Sequence, residues 1–156
     1  MMLAQPLQST KRVLCADDDA DSRELIGVVL NGAGYEVVPS ASCQEAISLA
    51  KNGGFSAIIL DNWFPDGNGP DLCREIRNGD QRTPILFFSA AAYPADIDRA
   101  ITAGAQAYLV KPNGLEEILS TLSSLVQTAA AKPPGMTAPG IGKSTDRPAG
   151  LKAVHE

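Results

Sequence analysis

The residues in this chain with the chemistry to act on a ligand stand at the ends of apolar runs. Asp17, Asp18 and Asp19 follow Val13-Leu14-Cys15-Ala16, and Asp61 follows Ile58-Ile59-Leu60. Ser89 closes Ile85-Leu86-Phe87-Phe88, and Lys111 follows Ala107-Tyr108-Leu109-Val110. A carboxylate at such an end is costly to desolvate unless something positive sits on it. Asp17, Asp18 and Asp61, crowded together, would raise one another's pKa, and a bound Mg²⁺ with oxygen ligands relieves that. Metal and Lys111 together would neutralise a phosphoryl group in transfer. Asp61 then becomes a nucleophile of the aspartyl-phosphate class, for which positioning and charge neutralisation are most of the catalysis.

These ends must converge for any of this to work, and the sequence pattern says how. Five apolar runs alternate with amphipathic stretches. The runs are Val13–Ala16, Glu36–Val38, Ala57–Asp61, Ile85–Ser89 and Ala107–Val110. Short runs with few polar interruptions are strands buried on both faces. The first helix places Leu25, Ile26, Val28 and Val29 inward and stops near Asn31-Gly32. Ser42 and Glu45 form a capping box for the second, which buries Cys43, Ala46, Ile47 and Ala50. A loop from Asn62 to Gly69 leads to Pro70 in the first turn of the third helix, with Leu72, Cys73 and Ile76 inward. The fourth helix spans Pro94 to Ala103, and the fifth runs from about Gly114 to Thr128.

This alternation predicts an α/β fold: a doubly wound sheet of five parallel strands with five helices, flavodoxin-like, in the order 2-1-3-4-5. Ligands bind such sheets at the carboxyl ends of the strands. Neighbouring strands lie about 4.8 Å apart, so Asp17, Asp18, Asp61 and Ser89 meet at one edge. Lys111 starts roughly 10 Å from Asp61 at the backbone, a gap that its long side chain can close.

The totals narrow the function. A chain of 156 residues with 44% hydrophobic content suits one domain with a full core. The net charge of −5 argues against non-specific nucleic-acid binding. No apolar run could span a bilayer, and the polar start lacks a signal-peptide core. The odd set Cys15, Cys43 and Cys73 fits packing in a reducing cytoplasm. Residues 1–10 read as a flexible leader, 11–128 as the domain, and 129–156 as a disordered Pro/Gly-rich tail. Gly142-Lys143-Ser144 is not a phosphate loop, because Thr137 stands where that pattern needs glycine.

The ordered set Asp17-Asp18, Asp61, Pro65, Gly69, Ser89, Tyr108 and Lys111-Pro112 resembles the response-regulator receiver domain over residues about 11–128. The resemblance implies Asp61 as phosphoacceptor and Asp17 and Asp18 in the acidic pocket. It implies Mg²⁺ held by Asp17, Asp18, Asp61 and the Trp63 carbonyl. Lys111 and Ser89 would assist transfer, and Ser89 and Tyr108 would act as a switch, Tyr108 following Ser89 inward. A cis Lys111-Pro112 bond and a Trp63 indole overhanging the pocket are also implied. Asn113 stands where the family often has an apolar aromatic.

The function this implies is a stand-alone, cytoplasmic receiver, phosphorylated by a histidine kinase or histidine phosphotransfer protein. It would signal to a downstream protein target, with no direct DNA binding, since the tail is short and shows no helix pattern. Beyond self-phosphorylation and slow self-dephosphorylation it would not be an enzyme. Ala91, two past Ser89, offers no group to position a hydrolytic water. Two alternatives compete. Asp17-x-Asp19 after a strand also resembles the start of a haloacid-dehalogenase-type phosphatase. A pseudo-receiver would bind partners without phosphorylation.

Overall fold

The computed structural model of the protein describes residues 10–131. The expected leader and tail therefore lie outside the described residues, apart from Thr10 and residues 129–131. Five strands form one parallel sheet: β1 (Arg12–Ala16), β2 (Glu36–Ser40), β3 (Ala57–Leu60), β6 (Ile85–Ser89) and β7 (Ala107–Val110). Their order is β2-β1-β3-β6-β7. This is the expected 2-1-3-4-5 order. The extra numbers belong to a small antiparallel hairpin, β4 (Trp63–Phe64) with β5 (Gly67–Asn68). A plain loop was expected there. Two-residue strands are too short to leave a period in the sequence.

Side chains alternate across each central strand and feed two cores. Leu14, Ala16, Ile58 and Leu60 face one way, packing with α2 (Cys43–Asn52), α3 (Gly69–Gly79) and α4 (Pro94–Ala103). Val13, Cys15, Ala57 and Ile59 face the other, packing with α1 (Ala20–Gly32) and α5 (Leu115–Ala131). Burial on both faces explains the nearly continuous apolar runs. The edge strand β2 is less buried and tolerates Pro39. All three cysteines are free and buried. Burial pushes the Cys15 thiol up to about 12, so it acts as an apolar filler.

The first helix departs from expectation. Ile26 and Leu30 are buried and Val29 packs partly, but Leu25 is 51% and Val28 66% exposed. Each residue turns a helix by about 100°, so Val28 lies about 200° from Ile26, on the far side. The last helix continues to Ala131, three residues past the expected stop at Thr128. The capping box also differs in one bond. Ser42 Oγ accepts from the Glu45 N–H, but the Glu45 carboxylate takes the Ala41 N–H rather than that of Ser42.

Candidate functional site

The register brings the site together. Ala16 lies beside Leu60 in the ladder, so Asp17 and Asp61 leave the sheet side by side. The ladder then runs one step further on each strand. The Asp17 N–H donates to Ser40 O and the Asp61 N–H to Ala16 O, both at 2.9 Å. Asn62 is buried, and its N–H donates to Asp61 Oδ1 at 2.7 Å while its carbonyl accepts the Gly69 N–H. A Cβ at Gly69 would stand 2.3 Å from the Asp61 carbonyl oxygen and 2.6 Å from the Phe87 ring. Only glycine lets α3 begin this close beneath Asp61.

Lys111 reaches across the sheet from the end of β7. Its ammonium lies 2.8 Å from Asp17 Oδ2, 3.3 Å from Asp61 Oδ2 and 5.7 Å from the Phe88 ring centre. The stem covers the intervening strand while the charge reaches the acids. The second Asp17 oxygen accepts the Asp19 N–H. Burial raises the Asp17 pKa, and the nearby Asp61 charge adds to this, against the opposing bonds from Lys111 and Asp19. Burial pulls Lys111 down, but its bond to Asp17 and the charges of both acids outweigh that, so its pKa rises.

Asp18 is exposed, yet carboxylate oxygens of Asp17, Asp18 and Asp61 all lie within 4.8 Å of one another. One ammonium among three carboxylates leaves negative charge in surplus. An all-oxygen donor set of this kind fits a hard divalent cation such as Mg²⁺. Asp19 stands apart from that group. It is the N-cap residue of α1, and its side chain accepts the Ser22 hydroxyl.

Ser89 is buried at the end of β6, where its Oγ accepts the Ala91 N–H at 3.1 Å. Tyr108 donates its hydroxyl to the Ala91 carbonyl at 2.6 Å, and its ring stacks on Phe87 at 5.7 Å. The same Ala91 residue thus joins the two expected switch residues. Tyr108 is only 1% exposed, so it already occupies the interior that it was expected to enter. Burial pushes its phenol up to about 12. Lys111-Pro112 is cis, as the resemblance implied. Trp63 is 62% exposed on the hairpin.

One residue near the site went unrecognised in the sequence. Asp66, at the hairpin turn, accepts the N–H groups of Cys43 and Gln44 at the start of α2. Nothing in the sequence links residues 23 apart, although Asp after Pro65 marks a turn.

A protein-family model for the response regulator receiver domain matches residues 13–123. The transcriptional regulatory protein TrcR of Mycobacterium tuberculosis is 33% identical over 119 residues, 76% of this chain and 46% of that protein. The chain spans about half the length of the curated relatives it matches. The chemotaxis protein CheY4 of Vibrio cholerae has a similar structure, with a TM-score of 0.70 and 31% identity over 75% of this chain and 99% of that one. The receiver domain of the sensor histidine kinase PA1611 from Pseudomonas aeruginosa, described with a magnesium ion coordinated in its active-site cleft, gives 0.71 and 27% over 76% and 99%. With its strand order, its acidic cluster and a family match over most of its length, the chain belongs to the response regulator receiver domain family.

Proposed function

We propose that this domain accepts a phosphoryl group on Asp61 from the phosphohistidine of a histidine kinase or phosphotransfer protein. The observation that carries the reading is Lys111 bridging Asp17 and Asp61 at the carboxyl edge of the sheet. In the transfer a carboxylate oxygen of Asp61 forms the new O–P bond as the donor's N–P bond breaks. The bonding pair leaves with the imidazole nitrogen, which takes up a proton. Lys111 is anchored on Asp17 by its shorter contact. It can turn to an incoming phosphoryl oxygen at the expense of only the longer Asp61 contact. Ser89 accepts the Ala91 N–H and lies beside the Tyr108 hydroxyl, and on turning it can donate its O–H to the phosphoryl group.

Asp17, Asp18, Asp61 and the Trp63 carbonyl would hold Mg²⁺. When bound, it neutralises charge on the phosphoryl oxygens. The acidic cluster and the magnesium described in the PA1611 receiver domain support this assignment. Ser89 and Tyr108, joined at Ala91, would form the switch: Ser89 turning to the phosphoryl group releases the Ala91 N–H and loosens the peptide that Tyr108 grips. Output through a protein target suits a net charge of −5 better than contact with DNA phosphates. TrcR, named a transcriptional regulator, matches this chain over 46% of its own length. Among the described residues no helix is long and apolar enough to cross a membrane. Buried free thiols suit the cytoplasm.

The test is intact mass after incubation with a small-molecule phosphodonor and Mg²⁺. One phosphoryl group should be gained, and none when the cation is chelated. Labelling without a divalent ion would overturn the metal assignment. The phosphatase alternative finds less support, since Asp19, its second carboxylate, is turned to Ser22. A pseudo-receiver would gain no mass in either condition.

A further inference from the structure

The hairpin that follows Asp61 is fastened at three points. At its base, Gly69 packs against the Asp61 carbonyl and donates to Asn62. Midway, Phe64 is buried in the core with Cys43 and Ala46. At its tip, both carboxylate oxygens of Asp66 are used. Oδ1 accepts the Cys43 N–H at 2.9 Å and Oδ2 the Gln44 N–H at 3.0 Å. These bonds hold the Asp66 pKa below the usual carboxylate range.

The N-terminus of α2 has a cap of its own in Ser42, which serves the Glu45 N–H. Asp66 takes the two N–H groups that Ser42 does not reach, and it does so from the other side of the site. The approach is close: a Cβ on Gly67 would come within 3.2 Å of Cys43 Sγ. Trp63 lies on the same two-stranded unit, paired with Asn68 and adjacent to Phe64. Its position therefore depends on where the tip is tied.

We infer that Asp66 is a positioning residue for the cation site, clasping the hairpin to α2 so that the Trp63 carbonyl is held toward Asp61. This rests on the metal-assisted reading above. Asp66 touches neither the cation nor the phosphoryl group. It sets the backbone that would supply the Trp63 carbonyl, as outer-shell partners of metal ligands do. A purely local helix cap would stabilise α2 and leave the cation site alone.

The two roles separate in a titration of the full chain with Mg²⁺ alone, followed by calorimetry, alongside thermal melting. Asp66→Ala should weaken Mg²⁺ binding about tenfold, the low end for loss of outer-shell support. Ser42→Ala removes the local cap of the same helix and should lower the melting temperature while leaving Mg²⁺ affinity within about twofold. Asp66→Asn keeps one acceptor oxygen, should lie between wild type and Asp66→Ala, and carries the test alone if the alanine variant does not fold. Wild-type affinity in the Asp66 variants, or equal weakening by Ser42→Ala, would overturn the inference while leaving the proposed function intact. A wild-type chain that binds no Mg²⁺ would sink both.

Discussion

Two half-buried cations hold opposite ends of this sheet, and they are treated in opposite ways. At the amino-terminal pole, Arg77 of α3 donates to Asp80 O, Thr83 O, Gly104 O twice and Gln106 Oε1. All of these acceptors are neutral, and together they tie the ends of α3 and α4 to the starts of β6 and β7. Gly104 is drawn so near that a Cβ there would lie 2.9 Å from the Arg77 side chain. At the carboxyl pole, Lys111 meets two carboxylates, with a third close by. Arg77 is saturated, so its pole is closed. Lys111 has one firm and one loose partner amid surplus negative charge, so its pole is left open. A satisfied charge cluster marks structure. An unbalanced one, kept despite its cost to the fold, marks function.

The largest expected effect is at the closed pole. Arg77→Met strips five hydrogen bonds from acceptors around it and should lower stability by about 3 kcal/mol. Urea unfolding should show this as a lower midpoint with an unchanged slope. The folded fraction should still be phosphorylated, since the two poles are well separated. A loss below about 1 kcal/mol would break the contrast.

Next in size is the response to metal at the open pole. Mg²⁺ at a hundredfold excess over its Kd should stabilise the wild type by about 2.7 kcal/mol. Arg77→Met should show the same gain, because distant sites add. Asp17→Asn should lose most of it. An undiminished gain in Asp17→Asn would place the ion elsewhere.

Smaller again, and opposite in sign to Arg77→Met, is Asp61→Asn without metal. Removing one of the crowded acids should raise stability by about 1 kcal/mol, because sites built for function carry repulsion that the fold must absorb. Thermal melting in chelator checks this, and a fall in stability would contradict the assignment of surplus charge to this pole.

The finest test of the comparison is pH. The two poles each hold a perturbed carboxyl, shifted in opposite directions. Asp17 is raised, chiefly by burial. Its contribution is fully present below the unfolded value near 3.8 and is lost as pH rises through its higher folded value. Asp80 is lowered. Burial pushes it up, but bonds from Thr83 and Arg82 and the Arg77 charge outweigh that. Its contribution is present above 3.8 and lost as pH falls through its lower folded value. Asp17→Asn should therefore flatten the stability profile above about pH 4, and Asp80→Asn below it. Equal profiles for the two variants would remove the distinction.

Most of the open pole was legible in the sequence, and most of the closed pole was not. Asp61, Asp17, Ser89 and Lys111 each end an apolar run, and a parallel sheet brings such ends together. Arg77 carries no such sign. Its partners are mainly backbone carbonyls, which any residue can supply, and an arginine in the last turn of a helix is ordinary. Asp66 was hidden for a related reason, since its acceptors serve N–H groups 22 and 23 residues away. In α1, Leu25-Ile26 and Val28-Val29-Leu30 are so nearly continuous that periodicity could not choose a face. The sheet chose Ile26 and Leu30, leaving Leu25 and Val28 outside. Tyr108 was legible as an aromatic at the site. Its resting place inside was set by Phe87 and the Ala91 carbonyl, neither of which its own position reveals.

The proposed transfer to Asp61 uses the unbalanced charge at the carboxyl pole. The most direct measurement is site-resolved mass spectrometry of the chain after exposure to a small phosphodonor and Mg²⁺, with the aspartyl phosphate trapped by reduction. The expected result is a single modified residue, Asp61, with labelling lost in Asp61→Asn and strongly slowed in Lys111→Ala. Label on another residue, or undiminished labelling of Asp61→Asn, would contradict the account.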